Sequence, residues 1–128
     1  MTKFVIDAFA WIEYLDGSES GKKFAEIIEG KSNEIFTSSV TIGEVISKAL
    51  RGNKNIEIAL NHINNLSTVL DITQEISAAA GHIHFEAKKK EKNFGMLDAF
   101  VAATAKKVGA KILTGDSDFK NFKEAVMI

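Results

Sequence analysis

The stretch Leu113–Phe119, "LTGDSDF", ends an apolar run with two aspartates that have a single residue between them. The apolar run begins at Ala110 and predicts a short buried strand. No lysine or arginine stands between or directly beside Asp116 and Asp118. Unpaired carboxylates repel one another and destabilise a fold unless solvent or a cation relieves them. The stretch therefore predicts a strand that delivers acidic side chains to a site.

Short apolar segments of this kind alternate with helical segments along the chain. The predicted strands are Lys3–Ile6, Glu34–Thr37, Thr68–Ile72, Lys111–Thr114 and Ala125–Ile128. The predicted helices are Ala8–Leu15, Glu19–Glu29, Val40–Leu50, Ile56–Leu66, Gln74–Lys90 and Met96–Val108. Parallel strands require crossover connections, so the alternation predicts a parallel sheet with helices on both faces. We therefore expect one α/β domain.

Composition narrows the class of protein. The chain has 128 residues and no cysteine, which excludes disulfides, zinc–thiolate sites and a cysteine nucleophile. Its net charge of −1 gives no basic footprint of a protein that coats nucleic acid. No apolar run approaches the roughly 20 residues that span a bilayer, and the N-terminus lacks a signal-peptide pattern. We expect a cytoplasmic protein without membrane association.

Five acids fall near predicted strand ends. Asp7 follows the first strand, while Asp116 and Asp118 follow the fourth. Asp98 lies near the N-terminus of the helix that leads into the fourth strand, and Glu44 is placed in the first turn of the helix that follows the second strand. Ligands of open α/β sheets bind beyond the carboxyl ends of the strands. If these elements are neighbours, the five acids converge on one edge of the sheet.

Each acid also has an ordinary structural interpretation. Glu44 lies three residues after Thr41, the spacing of a capping box. Asp98 could complement its helix dipole, Asp7 could cap the helix after it, and the two aspartates of the opening stretch could form a turn. These interpretations do not explain why all five would share one edge. A cluster of uncompensated carboxylates favours a hard cation such as Mg²⁺ or Mn²⁺.

Four segments carry a family resemblance. They are "VIDAFAWIEYL" (Val5–Leu15), "TIGEV" (Thr41–Val45), "MLDAFVAATA" (Met96–Ala105) and "ILTGDSDF" (Ile112–Phe119). In their order and approximate spacing the chain resembles a PIN domain, most closely the VapC-type toxins of prokaryotic toxin–antitoxin pairs. The resemblance covers essentially the whole chain. It implies a three-layer, Rossmann-like PIN domain over residues 1–128, with about five parallel strands, and a Mg²⁺- or Mn²⁺-dependent endoribonuclease.

The resemblance also implies site residues. The principal acids of the family fall on Asp7, Glu44, Asp98 and Asp116; a further acid falls on Asp118, and a hydroxyl residue near the metal falls on Thr114. We assign direct or water-bridged metal ligation to Asp7, Asp98 and Asp116, water activation to Glu44, and a second ion or the outer shell to Asp118. The chain departs from many relatives at Ala8, where they have serine or threonine.

Contacts to RNA and to partners are less specific. Arg51 and Lys54, in a basic loop, are candidate contacts to RNA phosphates. Trp11 and Tyr14 are interpreted as packing residues, with partner binding as the second interpretation. The resemblance further implies a cognate antitoxin protein and a homodimer.

Two alternatives remain at this point. One is a PIN-like module that binds RNA or a partner without catalysis. The other is a phosphotransfer domain, either a receiver or a phosphatase-like protein. A receiver would need adjacent acids after the first strand and the phosphatase an Asp-x-Asp motif there, whereas this chain has Asp7 followed by Ala8.

Overall fold

The computed structural model describes residues 1–128 as a five-stranded parallel sheet with helices on both faces. The strands are β1 (Thr2–Ile6), β2 (Asn33–Ser38), β3 (Thr68–Leu70), β4 (Lys111–Thr114) and β5 (Ala125–Met127). The helices are α1 (Ala8–Asp16), α2 (Glu19–Ile28), α3 (Ser39–Arg51), α4 (Ile56–Leu66), α5 (Gln74–Ala87) and α6 (Met96–Val108). A short 3₁₀-helix, Ser117–Phe119, follows β4. The predicted α/β class is confirmed.

The strand order is β3-β2-β1-β4-β5, with β1 at the centre. Val5 pairs in register with Phe36 of β2 and Ile112 of β4, and these side chains pack against α5 and α6. The alternate strand residues, including Phe4 and Leu113, pack against α1 to α4. The two-residue periodicity of a strand thus divides the apolar side chains between two cores, one on each face.

Local caps fix where several helices begin and end. Thr73 accepts a hydrogen bond from the amide of Ile76 at 3.1 Å, as predicted for the N-cap of α5. Gly109 ends α6 with φ of 69°, a left-handed conformation that glycine adopts without a Cβ clash. Thr73 thus fixes the start of α5, and Gly109 fixes the end of α6, the helix that carries Asp98.

Two predicted boundaries are wrong by a few residues. Helix α5 ends at Ala87, not at Lys90, because the next amides turn back more tightly: Lys90 donates to the carbonyl of Ala87 at 3.1 Å. Strand β3 ends at Leu70, because only three of its residues pair with β2. None of the six helices is long and apolar enough to cross a membrane.

Candidate active site

The candidate site lies at the carboxyl edge of the sheet, where β1 meets β4. From β1 the chain moves first towards β2 and β3, and it returns through α5 and α6 to place β4 on the other side of β1. This reversal of strand order leaves a crevice between adjacent strands, the usual ligand position in open α/β sheets. Asp7 directly follows β1, and Asp116 follows β4 by two residues.

Asp7 lies in the floor of this crevice and is only 5% exposed. Its Oδ1 accepts a hydrogen bond from the amide of Ala10 at 2.9 Å, which caps α1, and its Oδ2 accepts one from the hydroxyl of Thr114. Burial raises the pKa of Asp7 to about 7, and repulsion from Asp116 and Asp98 adds to the rise against the two hydrogen bonds. Asp7 is therefore both a helix cap and a carboxylate held in an unfavourable environment.

Thr114 connects the two strands of the site. Its buried hydroxyl donates to Asp7 and accepts from the amide of Asp116 at 2.9 Å. Oδ1 of Asp116 in turn accepts from the amide of Asp118 at 2.9 Å, which begins the 3₁₀-helix. The turn interpretation of this stretch is thus correct for its backbone, and it leaves the second oxygen of Asp116 without a hydrogen bond.

Asp98 reaches the crevice from the first turn of α6. Its Oδ2 accepts from the amide of Gly95 at 3.0 Å, so it does satisfy its own helix N-terminus. Partial burial raises the pKa of Asp98, and so do Asp116 and Asp118, against the hydrogen bond from Gly95. Asp98 therefore caps its own helix and also lies near enough to Asp116 and Asp118 for their charges to raise its pKa.

Glu44 lies on α3. It is the sixth residue of that helix rather than part of its first turn, because β2 runs directly into α3 at Ser39. The capping-box interpretation is wrong, since Thr41 is itself inside the helix and its buried hydroxyl has no hydrogen-bond partner. Burial is the main cause of the raised pKa of Glu44, and repulsion from Asp98 and Asp116 raises it further.

Asp118 is the outermost of the five acids and is partly exposed. Burial raises the pKa of Asp118, and so do Asp116 and Glu91, whereas Lys120 lowers it. Glu91 is an acid that sequence reasoning missed. Nothing in its local sequence indicates proximity to the site, because the contact depends on how the turn after α5 packs beside the 3₁₀-helix.

The donor chemistry of the five acids suits a divalent cation. None of the five acids forms an ion pair, since the ion pairs of the structure are Lys22–Glu19, Lys89–Glu86, Lys107–Glu75 and Lys120–Glu91. The hydroxyls of Ser38 and Thr41 are buried without a partner near the carboxyl end of β2. Hard oxygen donors and uncompensated charge suit Mg²⁺ or Mn²⁺. No group of three or more acidic or histidine side chains is arranged to hold a metal ion, however, so the fit is one of donor chemistry and not of assembled geometry.

The remaining candidates lie away from the crevice floor. Arg51 ends α3 and Lys54 follows it, both exposed. Trp11 is completely buried and donates from Nε1 to the hydroxyl of Thr37 at 3.1 Å, so packing accounts for it. Tyr14 is half-buried and donates to Glu29 at 2.6 Å. Burial and Glu29 raise the pKa of Tyr14 to about 12.

The chain is similar in sequence to one family model and in fold to several solved structures. A family model described as PIN domain matches residues 4–125. VapC20 from Mycobacterium tuberculosis, described as a sarcin–ricin loop cleaving toxin, gives a TM-score of 0.76 at 18% identity over 98% of both chains. DNA-bound VapBC from Salmonella typhimurium gives 0.75 at 22% identity, covering 100% of this chain and 98% of that chain. A toxin–antitoxin complex from Klebsiella pneumoniae gives 0.72 at 20% identity, covering 96% and 95%. No curated protein matches at a significant level. Likeness at these identities establishes a shared fold.

Proposed function

The chain belongs to the PIN domain family, and on that premise we propose that it is a Mg²⁺- or Mn²⁺-dependent endoribonuclease, the toxin of a type II toxin–antitoxin pair. The observation that carries the proposal is the convergence of Asp7, Glu44, Asp98 and Asp116 at the topological switch point, without a basic partner. Their mutual repulsion contributes to the raised pKa values of Asp7, Glu44 and Asp98. Acids clustered in this way at a switch point are typical of a functional site.

In this proposal Asp7, Asp98 and Asp116 hold the cation, and Asp118 supports its outer shell or a second ion. A bound divalent ion would lower the pKa of water and stabilise charge on the phosphoryl oxygens. Asp7 is held through one oxygen by the Ala10 amide and through the other by Thr114, which orients its carboxylate. Ala8 supplies no hydroxyl here, so the hydroxyl that positions Asp7 is that of Thr114.

Glu44 is proposed to orient or deprotonate the attacking water. The Glu44 carboxylate makes no hydrogen bond within the protein. Burial raises the pKa of Glu44, the direction that suits a general base. Its α3 position brings it near enough to Asp98 and Asp116 for their charges to raise its pKa further. Water activated by Glu44 would therefore lie close to proposed cation ligands.

Partners are proposed from the same premise. The substrate is RNA, either tRNA, rRNA or mRNA, and inhibition comes from a cognate antitoxin protein. Support comes from the solved neighbours, which include a toxin–antitoxin complex and a toxin that cleaves the sarcin–ricin loop. A homodimer and a cytoplasmic location complete the proposal.

The test uses the purified chain, freed from any bound inhibitor protein, on total RNA with Mg²⁺ or Mn²⁺. We expect cleavage that EDTA abolishes and that Asp98→Asn lowers by about 10³-fold or more. The matched control is Asp71→Asn, which removes an exposed aspartate that follows edge strand β3. Absence of cleavage by the folded wild-type chain with both metals would contradict the proposal.

One observation favours a second candidate, a PIN-like module that binds RNA or a partner without cutting. No three of the acids are arranged to hold a metal ion. A chain that binds RNA equally well with and without divalent metal, and never cleaves it, would support this candidate. Membership of the PIN domain family leaves no observation in favour of a phosphotransfer domain.

A further inference from the structure

A groove of about 770 Å³ leads away from the acidic crevice between α1 and α3. Its floor is apolar and is formed by Ala8, Phe9, Ile12, Val40 and Leu97. Glu44 lines it at the crevice end, and Lys48 and Arg51 line it farther along α3. Glu13 lines the α1 side, where its carboxylate accepts hydrogen bonds from the hydroxyls of Ser18 and Ser20. An acidic start, an apolar floor and a basic continuation form one connected surface.

The polar side of this groove is a single face of α3. Glu44, Ser47, Lys48 and Arg51 have the i, i+3, i+4, i+7 spacing that aligns side chains along a helix. With a rise of 1.5 Å per residue, Lys48 lies about 6 Å and Arg51 about 10 Å from Glu44 along the helix axis. Neither cation forms an ion pair, and the Arg51 guanidinium donates only to the hydroxyl of Ser47, at 2.6 Å. Two positive charges therefore remain available beside the acidic site.

The apolar side contains an aromatic ring in a fixed position. Phe9 packs edge-on against Phe24, with ring centroids 6.4 Å apart and an interplanar angle of 75°. Its ring also lies against Gly115, where an added Cβ would come within 2.9 Å of Cδ1 of the ring. Phe9 nevertheless stays 41% exposed and Leu97 44%. Since Gly115 separates Thr114 from Asp116, the Phe9 ring borders the acidic crevice directly.

We propose that this groove holds single-stranded RNA, with a base next to the scissile phosphate stacked on Phe9 and adjoining phosphates bound by Lys48 and Arg51. The inference rests on the proposed nuclease function and adds the path of its substrate. Bases of single strands stack on exposed aromatic rings, and cationic side chains follow their phosphates. A purely apolar peptide would cover the floor but would leave both cations unmatched.

The groove continues towards the predicted contact Lys54. A second groove, of about 330 Å³, shares Ile12 and Lys48 with the first and is lined by Lys54 at its far side. Lys48 lines both grooves and so connects the first groove to Lys54 near α4, while Asp16 is an acid in the lining of the second groove. Lys54 is the contact most distant from the cleaved bond in this arrangement.

Binding is tested without cleavage, by fluorescence anisotropy of a labelled single-stranded RNA in EDTA, with a duplex of the same composition alongside. We expect Phe9→Ala to weaken single-strand binding by about tenfold or more, and Phe9→Leu, which keeps an apolar side chain, to weaken it in the same direction. Lys48→Gln and Arg51→Gln should each reduce the salt dependence by roughly 0.7 in the slope of log K against log salt.

Two control variants keep the comparison specific. Phe85→Ala removes an aromatic side chain that is 65% exposed on α5, and Lys31→Gln removes an exposed cation just before β2, at the opposite edge of the sheet. Both should leave affinity unchanged. In cleavage assays the groove variants should raise KM, with kcat close to wild type, since they remove binding and not the acids.

Failure of this inference is distinguishable from failure of the proposed function. Cleavage that requires Asp98 but is unchanged by substitution of Phe9, Lys48 or Arg51 would contradict RNA binding in the groove and still support nuclease activity. RNA binding that requires Phe9, without any cleavage, would contradict nuclease activity and still support RNA binding in the groove. Groove variants that lose only a protein partner, with RNA affinity intact, would replace RNA with a protein as occupant.

Discussion

Several acids on the helical surface pair with lysines, whereas the five acids at the carboxyl edge of the sheet have no such partners. On the surface, glutamates lie beside lysines in the pairs Glu19–Lys22, Glu75–Lys107 and Glu86–Lys89, at 3.6, 2.6 and 3.2 Å. At the edge, five acids approach one another from four elements and none forms an ion pair. The first arrangement neutralises charge locally, and the second concentrates it.

The difference shows where the fold accepts a cost in stability. Exposed pairs contribute at most about 1 kcal/mol each, because solvent screens them. A pKa of about 7 for Asp7, against an ordinary value of 3.8, disfavours its ionised form by on the order of 4 kcal/mol. An unneutralised cluster of this kind is expected at a ligand site rather than in a purely structural element. Four measurements of stability test this contrast.

The largest effect is expected for Asp7→Asn. At about pH 8 the substitution removes a buried charge and keeps acceptor capacity towards the Ala10 amide, so the free energy of unfolding should rise by on the order of 4 kcal/mol. Urea denaturation measures it. Asp71→Asn, which changes an exposed acid, should alter stability by about 0.5 kcal/mol or less. Destabilisation by Asp7→Asn would mean that the carboxylate is favourably solvated.

The wild-type chain should lose stability as pH rises. The folded-state pKa of Asp7 lies above its unfolded value, so the folded chain retains a proton that the unfolded chain releases. Its contribution is fully present below about pH 4 and is lost as pH rises towards 7. Between about pH 5 and pH 8 in metal-free buffer, we expect the free energy of unfolding to fall by roughly 3 kcal/mol. Denaturant titration at each pH measures it. A flat profile, equal to that of Asp7→Asn, would contradict the contrast.

Divalent cations should reverse part of this loss. A ligand that binds only the folded state at a hundred times its Kd adds about 2.7 kcal/mol. We expect Mg²⁺ or Mn²⁺ to raise Tm at about pH 8, and the variant Asp98→Asn to respond less. Calorimetry that detects no binding of either ion would contradict the proposed metal site. The pH prediction would be unaffected, because it does not depend on a metal.

The smallest effect is expected on the surface. Glu75→Gln breaks the ion pair with Lys107, whose side chains are 70% and 52% exposed. The loss should be about 0.5 kcal/mol or less and should diminish in high salt. Thermal denaturation at two salt concentrations measures it. A loss as large as that predicted for the acidic edge would show that surface pairing, too, is an important source of stability.

Much of the fold could be predicted from local sequence. The apolar alternation of β1 and the helical spacing of α3 follow from side-chain periodicity, and Thr73 and Gly109 were correctly identified as helix ends. The errors occurred where tertiary packing decides. Thr41 and Glu44 have the spacing of a cap, but β2 continues so closely into α3 that both lie inside the helix. The roles of the five acids remain predictions.

The sequence alone determined the elements, their polar and apolar faces, and the positions of acids at strand ends, because these depend on short-range periodicity and local backbone chemistry. The position of β4 beside β1, which brings Thr114 to Asp7 across 107 residues of sequence separation, follows from tertiary packing. Tertiary packing alone also decided how deeply Asp7 is buried and which acids repel it. Strand order and burial arise from the packing of the whole chain, and no local pattern specifies them.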